Sequence, residues 1–346
     1  MMTLKETGAA AAALGNQVAA GIPVDQAVTR LAQLQPVYGE FWTRAALLVQ
    51  SGRPLSNALA EVWPAALVSA VKAGERSGTL DGVLARIETN VEMQLSLRAT
   101  MFKLAYPVGM GLAGLAVFVG FMVFVLPGLA KSLATKSQGF VFELSTWMSA
   151  FVFENWMTLL IGGGVGVVAL AAWLRTPEAQ TLILELLLEI PVIKTALRDM
   201  YFGLWANYMA MMAAAGITTS EALKLTGSVL PAGLRESIDV FERDLSVHNR
   251  SMYEAANLSK LSPGDARVKW WPFYVSNAFL VAEQTGEIDR ELLRVAPSLI
   301  KEGVKTMDHV IAAANVVALA VSAFLIVAPL GAYYTEIFSA IQQAGR

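Results

Sequence analysis

Two short stretches of this chain hold residues whose types and spacing could do chemistry, and the stretches match each other. Ala73-Gly-Glu-Arg-Ser-Gly-Thr-Leu-Asp81 aligns without a gap on Val281-Ala-Glu-Gln-Thr-Gly-Glu-Ile-Asp289, placing Glu75 on Glu283, Gly78 on Gly286 and Asp81 on Asp289. A carboxylate beside a glycine turn has two uses. It can bind a partner or a divalent cation, through Gly74, Glu75, Arg76, Gly78 and Asp81 in one copy and Glu283, Gly286 and Asp289 in the other. It can also accept backbone N–H groups in the turn and cap the helix that follows, which is the favoured expectation. The Gly74–Gly78 turn could suggest a phosphate loop, but no Lys-Ser or Lys-Thr follows a second glycine at the required spacing, so nucleotide hydrolysis is not expected.

The remaining chemical inventory is thin. The two histidines, His248 and His309, have no partner at metal-ligand spacing. Ser322 lies in an apolar stretch that offers no histidine to activate it. Cysteine is absent, so neither a disulfide framework nor a thiolate metal site exists. No catalytic residue, cofactor or metal is expected, and the chain does not read as an enzyme. Its net charge of −2 gives no basic field for nucleic acid.

The elements that carry the two turns are set by hydropathy. Of the 346 residues only 16% are charged, against about 25% in a soluble domain. Leu104–Leu129, Asn155–Leu174 and Val310–Tyr334 contain no charged residue, and each is long enough to cross a bilayer core, which takes about 20 helical residues. Lys and Arg cluster before the first, after the second and before the third, which sets the orientation by the positive-inside rule. No cleavable leader is visible in MMTLKETGAAAAALGNQ. The expectation is an all-α inner-membrane protein with three transmembrane helices and two homologous cytoplasmic helical-bundle domains. Residues 1–103 form the first bundle, 104–129 the first span and 130–154 a periplasmic loop. Residues 155–174 form the second span, 175–309 the second bundle, 310–334 the third span and 335–346 a periplasmic tail. Within the spans, Gly162 with Gly166 and Ala314 with Ala318 offer small-residue faces for helix packing. Ion and proton pathways usually need an ionisable residue, and the spans have none. The alternative reading, a small-solute permease subunit, would need polar groups along a path, and Asn315 is one of few.

Outside the spans, apolar residues recur at three and four, as in amphipathic helices. Ser56 and Asp81 suit helix N-caps. A single helix is expected over Glu178–Leu197, and the aromatic run Lys269-Trp-Trp-Pro-Phe-Tyr274 is expected to be buried rather than a partner surface. A second repeated element pairs Ala20-Gly-Ile-Pro-Val-Asp-Gln-Ala27 with Ala215-Gly-Ile-Thr-Thr-Ser-Glu-Ala222. There Gly21 and Gly216 each close a helix in a left-handed conformation, and the polar residue three or four positions later starts the next; Pro23 belongs to the first copy of this element. A weaker third match pairs Gly52-Arg-Pro-Leu-Ser-Asn-Ala58 with Asn249-Arg-Ser-Met-Tyr-Glu-Ala255. One repeat therefore covers roughly residues 1–129 and the other roughly 200–334.

The doubled Gly-Glu-x-Ser-Gly-x-Leu element, the Gly-Ile-Pro element and the repeated order of domain and span resemble the type II secretion F / type IV pilus C platform proteins. The second copy departs from the pattern at Ala282, Thr285 and Ile288. The short segment before the first span resembles the type IVb pilus branch. The resemblance implies an inner-membrane platform that contacts a cytoplasmic assembly ATPase, pilin or pseudopilin subunits, other inner-membrane assembly proteins and further copies of itself.

Overall fold

The computed structural model describes residues 2–127, 140–174 and 176–344. The chain is 86% helical, with no strand among the described residues. Two compact units emerge. The first comprises residues 1–100 and 187–307, and the second 101–186 and 308–346.

The first unit is built from two copies of one helical plan. The first copy runs α1 (Leu4–Ala19), α2 (Val24–Leu34), α3 (Gly39–Gln50), α4 (Leu55–Leu59), α5 (Ala65–Ser77) and α6 (Leu80–Lys103). Two helices lie between the copies in sequence, α7 (Ala105–Gly120) and α8 (Phe140–Trp173), and α9 (Pro177–Glu189) follows them. The second copy runs α10 (Pro191–Ala214), α11 (Thr219–Thr226), α12 (Ala232–Ser246), α13 (Met252–Ala256), then a short extra helix α14 (Ala266–Trp270), α15 (Phe273–Thr285) and α16 (Ile288–Ala344). Helices α4 and α13 have five residues each, and α5 and α15 thirteen each.

The duplication is clearest in the backbone. Left-handed φ values occur at Gly21 (79°), Gly52 (81°) and Gly78 (74°), and again at Gly216 (79°), Asn249 (51°) and Gly286 (75°). These six pair off in order with the three sequence matches. Such a φ costs a residue with Cβ about 1–2 kcal/mol, least for Gly and Asn, so the weak third match had preserved the one feature its turn needs. Trp63-Pro64 and Trp271-Pro272 also correspond, each proline standing at the N-cap of the thirteen-residue helix. The copies differ in that α14 and its flanking turns are inserted ahead of the second Trp-Pro.

Close helix approach holds each copy together. A Cβ on Gly8 of α1 would lie 2.7 Å from Val91 of α6. The corresponding glycine, Gly203 of α10, would lie 2.6 Å from Ile300 and 2.9 Å from the Ala296 carbonyl of α16. Gly303 repeats the crossing, 2.6 Å from Met200 and 2.8 Å from the Ala196 carbonyl. Helix α10 also joins the copies to each other. Against α6, Asn207 donates to Asn90 at 3.0 Å, Gln94 donates to the Tyr208 hydroxyl at 2.5 Å, and Arg86 donates to the Ala210 carbonyl at 3.2 Å. Burial pushes the Tyr208 phenol up to about 12 against the lowering effect of the Gln94 bond, so it serves as a neutral partner. The two bundles expected as separate domains therefore share one compact unit, because α10 buries apolar and polar faces against both.

Two sequence expectations need correction here. Ser56 is not an N-cap: Pro54 holds that position, and Ser56 lies inside the first turn of α4 with a buried hydroxyl. Nor is Glu178–Leu197 one helix. It breaks at Ile190-Pro191, because proline has no N–H to continue the ladder and opens α10 instead.

The helical segments Leu80–Val125 and Ile288–Gly331, which continue from the first unit into the second, contain windows of mean hydropathy 2.4 and 2.6, of which only 17% and 6% is buried. Both are long and apolar enough to cross a membrane. A third candidate, Glu143–Leu159 with Ile161–Leu170, is bent by 59° and counts only if the pair is one span. Inside α8, Asn155 leaves helical geometry (φ −113°, ψ 16°), and its side-chain amide donates to the Phe151 carbonyl at 2.9 Å, the acceptor a regular helix reserves for a backbone N–H. Residues 140–154, expected in a loop, are helical, and Met148 packs on Met122 and Leu126. The rest of that loop lies outside the described residues, as do positions 128 and 129 of the first expected span and the last residues of the tail. Gly114 of α7 meets Ser322 of α16, where an added Cβ would lie 2.6 Å from the Ser322 Cβ. Lys103 and Asp308 pair at 2.9 Å.

Candidate functional site

The repeated turns are the candidate site, and the helices on either side fix their geometry. Helix α5 ends at Gly78 and α15 at Gly286, each in the left-handed conformation. Just before each end, a hydroxyl turns back on its own helix: Ser77 donates to the Ala73 carbonyl at 3.0 Å and Thr285 to the Val281 carbonyl at 3.2 Å. The Ser-to-Thr departure therefore keeps its bond. Gly74 is tight, since a Cβ there would lie 2.9 Å from Val83 and 3.3 Å from the Leu80 Cα. Its counterpart Ala282 is buried with its methyl accommodated.

Glu75 caps a helix other than the one expected. Its carboxylate accepts from the backbone N–H of Leu55 at 2.5 Å and of Ser56 at 3.3 Å. These are the first amides of α4, twenty and nineteen residues upstream, not of the helix that follows. Helix α4 needs an outside acceptor because Pro54, at its N-cap, has none to offer. The second copy repeats the arrangement: Glu283 accepts from the backbone N–H of Tyr253, the second residue of α13. In α13, Ser251 supplies a cap of its own to Glu254 at 3.1 Å. The glutamates thus tie each five-residue helix to the helix leading into the next long one. The weak third sequence match held the partner amides, and nothing in sequence spacing linked it to the glutamate.

Asp81, expected as an N-cap, lies instead inside the first turn of α6, which already begins at Leu80, and Asp289 lies inside the first turn of α16; a carboxylate there favours the helix dipole. Neither makes a hydrogen bond among the described residues. Arg76 is exposed and forms no ion pair among them. Gly21 and Gly216 close their helices, donating to the Val18 and Ala213 carbonyls at 2.9 Å each, and Pro23 and Thr218, rather than the polar residues after them, hold the N-caps of α2 and α11. The arrangement commits both Glu75 oxygens and one Glu283 oxygen to backbone amides, while the other Glu283 oxygen makes no hydrogen bond among the described residues. Arg76, Asp81 and Asp289 are the further charged groups of the two turns. No group of three or more His, Asp or Glu among the described residues could hold a metal.

A charge network that sequence reading missed sits in the second copy only. Arg267 is almost fully buried, contacting Asp244 and Asp265 at 2.7 Å each and donating to the Ala255 carbonyl at 2.8 Å. His248 and Arg250 reach Asp244 at 2.9 and 3.1 Å. Burial resists ionisation of Asp244, but Arg267, with His248 and Arg250, outweighs it and holds the carboxyl below its usual range. The Arg267 hydrogen bond does the same for Asp265. The aromatic run divides: Trp270 and Trp271 are buried, whereas Phe273 is 73% and Tyr274 46% exposed.

Of the small residues in the apolar helices, Ala314 and Ala318 are half-buried on the face that includes Ser322. Gly162 and Gly166 have nothing within 4 Å of where a Cβ would stand. Ser322 donates weakly to the Met110 carbonyl at 3.4 Å.

The chain combines a duplicated helical unit with two, and up to three, helices long and apolar enough to cross a membrane. Residues 10–127 match the family described as Type II secretion system (T2SS), protein F. The chain is 22% identical over 302 residues to the type IV pilus assembly protein PilC of Pseudomonas aeruginosa, covering 84% of this chain and 77% of that one. It is 24% identical over 332 residues to the type IV pilus assembly protein TapC of Aeromonas hydrophila, covering 93% and 78%. It is 24% identical over 294 residues to the type II secretion system protein F of Vibrio cholerae, covering 82% and 70%. The resemblance read from the glycine turns and the comparison over the chain point to the same family.

Proposed function

We propose that this chain is the inner-membrane platform of a pilus-assembly or secretion machine, of the type IVb branch, and that it couples a cytoplasmic assembly ATPase to insertion of pilin or pseudopilin subunits. It acts as a homo-oligomer together with other inner-membrane assembly proteins and catalyses no reaction itself. Both repeats lie on the cytoplasmic side, three spans anchor them, and the tail after the third span is periplasmic. The paired left-handed turns carry this reading, since they recur in register with the family's own sequence element. Each glutamate links the rigid thirteen-residue helix to a short helix that an external push could displace. Arg76, Asp81 and Asp289 are the contacts offered to the ATPase. The small-residue faces at Ala314–Ala318 and Gly162–Gly166 are the contacts offered to membrane helices.

The test is complementation of a deletion strain. Arg76→Glu and Asp289→Lys should each leave the protein in the membrane at normal level while abolishing fibre assembly or secretion and co-purification of the ATPase. Normal assembly by the double variant would defeat the coupling.

A further inference from the structure

We propose that the turn between α2 and α3 is a self-complementary docking surface, and that its occupant is the same turn of a second molecule of this chain. Leu34 and Val37 stand at the tip of the turn, 62% and 84% exposed, with exposed Pro36 between them. Arg30 lies one helical turn before Leu34, and Glu40 lies three residues after Val37, both exposed. Neither makes an ion pair or a side-chain hydrogen bond among the described residues. Two other charges beside the turn are committed: Glu6 accepts from Thr3 and from the Tyr38 hydroxyl at 2.7 Å, and Arg44 pairs with Glu61 at 3.6 Å. Lys5, next to Glu6, is unpaired among the described residues. The turn is rigid before any partner arrives, because Gln35 donates to the Glu6 carbonyl at 3.0 Å and accepts from the Trp42 indole N–H at 3.0 Å.

The second copy of the plan shows that the fold covers this position where it can. There the corresponding turn, Val229-Leu230-Pro231, is roofed from within the chain. Leu230 is 5% exposed, and the Trp270 ring of the inserted α14 lies 3.8 Å from where a Cβ on Gly233 would stand. The first copy has no such insert, and its turn is open. The charges then select the occupant. An apolar centre with a cation on one side and an anion on the other matches itself about a two-fold axis through the tip. Arg30 of each molecule then faces Glu40 of the other, so the contact makes two ion pairs around packed Leu34 and Val37. Such an isologous contact closes as a dimer and does not propagate. The tip is small against the about 800 Å² per partner of a stable interface. That suits molecules confined to one membrane, where effective concentration is high, better than a partner arriving from solution. The inference rests on the homo-oligomer proposed above and gives it a surface.

Because the chain has no cysteine, Val37→Cys places a single thiol beside the axis. Mild oxidation of membranes containing this full-length variant should give a disulfide-linked dimer. Ser228→Cys, exposed on the corresponding turn of the second copy, should give several-fold less. In the Val37→Cys background, R30E and E40R should each cut dimer formation several-fold. R30E/E40R together should restore it, a rescue that a merely structural role for either residue would not produce. All these positions are exposed, so folding is not at stake. Absence of the Val37→Cys dimer would overturn the proposal, as would a double charge variant no better than its singles. Cross-linking of Val37→Cys to a different protein in place of itself would do so too. Light scattering in detergent separates this surface from the reading it rests on. A monomeric wild type would count against the homo-oligomer itself, whereas an oligomer that survives L34D/V37D would count against this surface alone.

Discussion

At the scale of single residues, the sequence invites a mistake that the geometry corrects. A glutamate next to a glycine turn looks like a cap for what comes after it, yet Glu75 and Glu283 reach back to α4 and α13. Glu75→Ala should leave the Leu55 and Ser56 amides without an acceptor, at a cost of about 1–2 kcal/mol. Amide exchange in α4 should then rise about 5- to 30-fold, which follows from that energy, and unchanged exchange would show that α4 is held by something else. Arg267 has the larger stake. Arg267→Met would leave Asp265 without its ion-pair partner and Asp244 with only His248 and Arg250, so the loss should fall towards the lower end of the about 3–5 kcal/mol typical of a broken buried pair, read as a lower unfolding midpoint. Both carboxyls are depressed in the folded state. Their stabilisation is therefore complete above the usual aspartate range, roughly pH 4, and is lost as pH falls through their lower folded values. The wild-type protein should lose stability below that range more steeply than Arg267→Met does. Parallel acid profiles would show that the network does not set acid stability.

At the scale of elements, glycine decides where helices touch. At Gly8 the atom an added methyl would meet is the end of the Val91 side chain, whereas at Gly303 it would also meet the Ala196 carbonyl, part of the main chain. A side chain shifts at less cost than the backbone of a packed helix pair. Gly303→Ala should therefore destabilise more than Gly8→Ala, by about 1–3 kcal/mol in the overpacked case, measured as the difference in unfolding midpoints. The Gly114–Ser322 approach can be tested chemically, because the chain has no cysteine of its own. The paired substitution Gly114→Cys with Ser322→Cys should cross-link on mild oxidation, since the two Cβ positions are close enough to need only a small outward shift. A control pair at Gly162 and Ser322 should not. Absence of any Gly114–Ser322 cross-link would mean that α7 and α16 do not meet there.

At the scale of the molecule, two copies of a plan that could have folded as separate bundles instead share α10 as common core. The polar line Asn90–Asn207, Gln94–Tyr208 and Arg86–Ala210 favours one register, because the buried Asn90, Asn207 and Tyr208 would lose these partners if the helices slid. On the proposed membrane arrangement, copies that share a core lie on one side of the bilayer. Single cysteines placed at exposed positions near residues 60 and 250 should react alike with an impermeant thiol reagent applied to one face. Opposite labelling would break the one-sided arrangement.

Hydropathy alone determined that the chain is helical and carries long uncharged stretches, because lipid tolerates no charge and leaves the backbone few alternatives to helix. The duplication was legible too, since a left-handed turn accepts little besides glycine or asparagine and so leaves a mark in any sequence: Gly21 with Gly216, Gly78 with Gly286, and, faintly, Gly52 with Asn249. What only tertiary structure decided were the pairings between residues far apart in the chain. These are Glu75 on Leu55, Arg267 between Asp244 and Asp265, Gly303 against Ala196, and Lys194 beside Lys269 over one indole. Local spacing fixes a residue's own φ and its place on a helix face. Which distant face it meets depends on how the remaining helices fill space around it, and no periodicity within the chain encodes that.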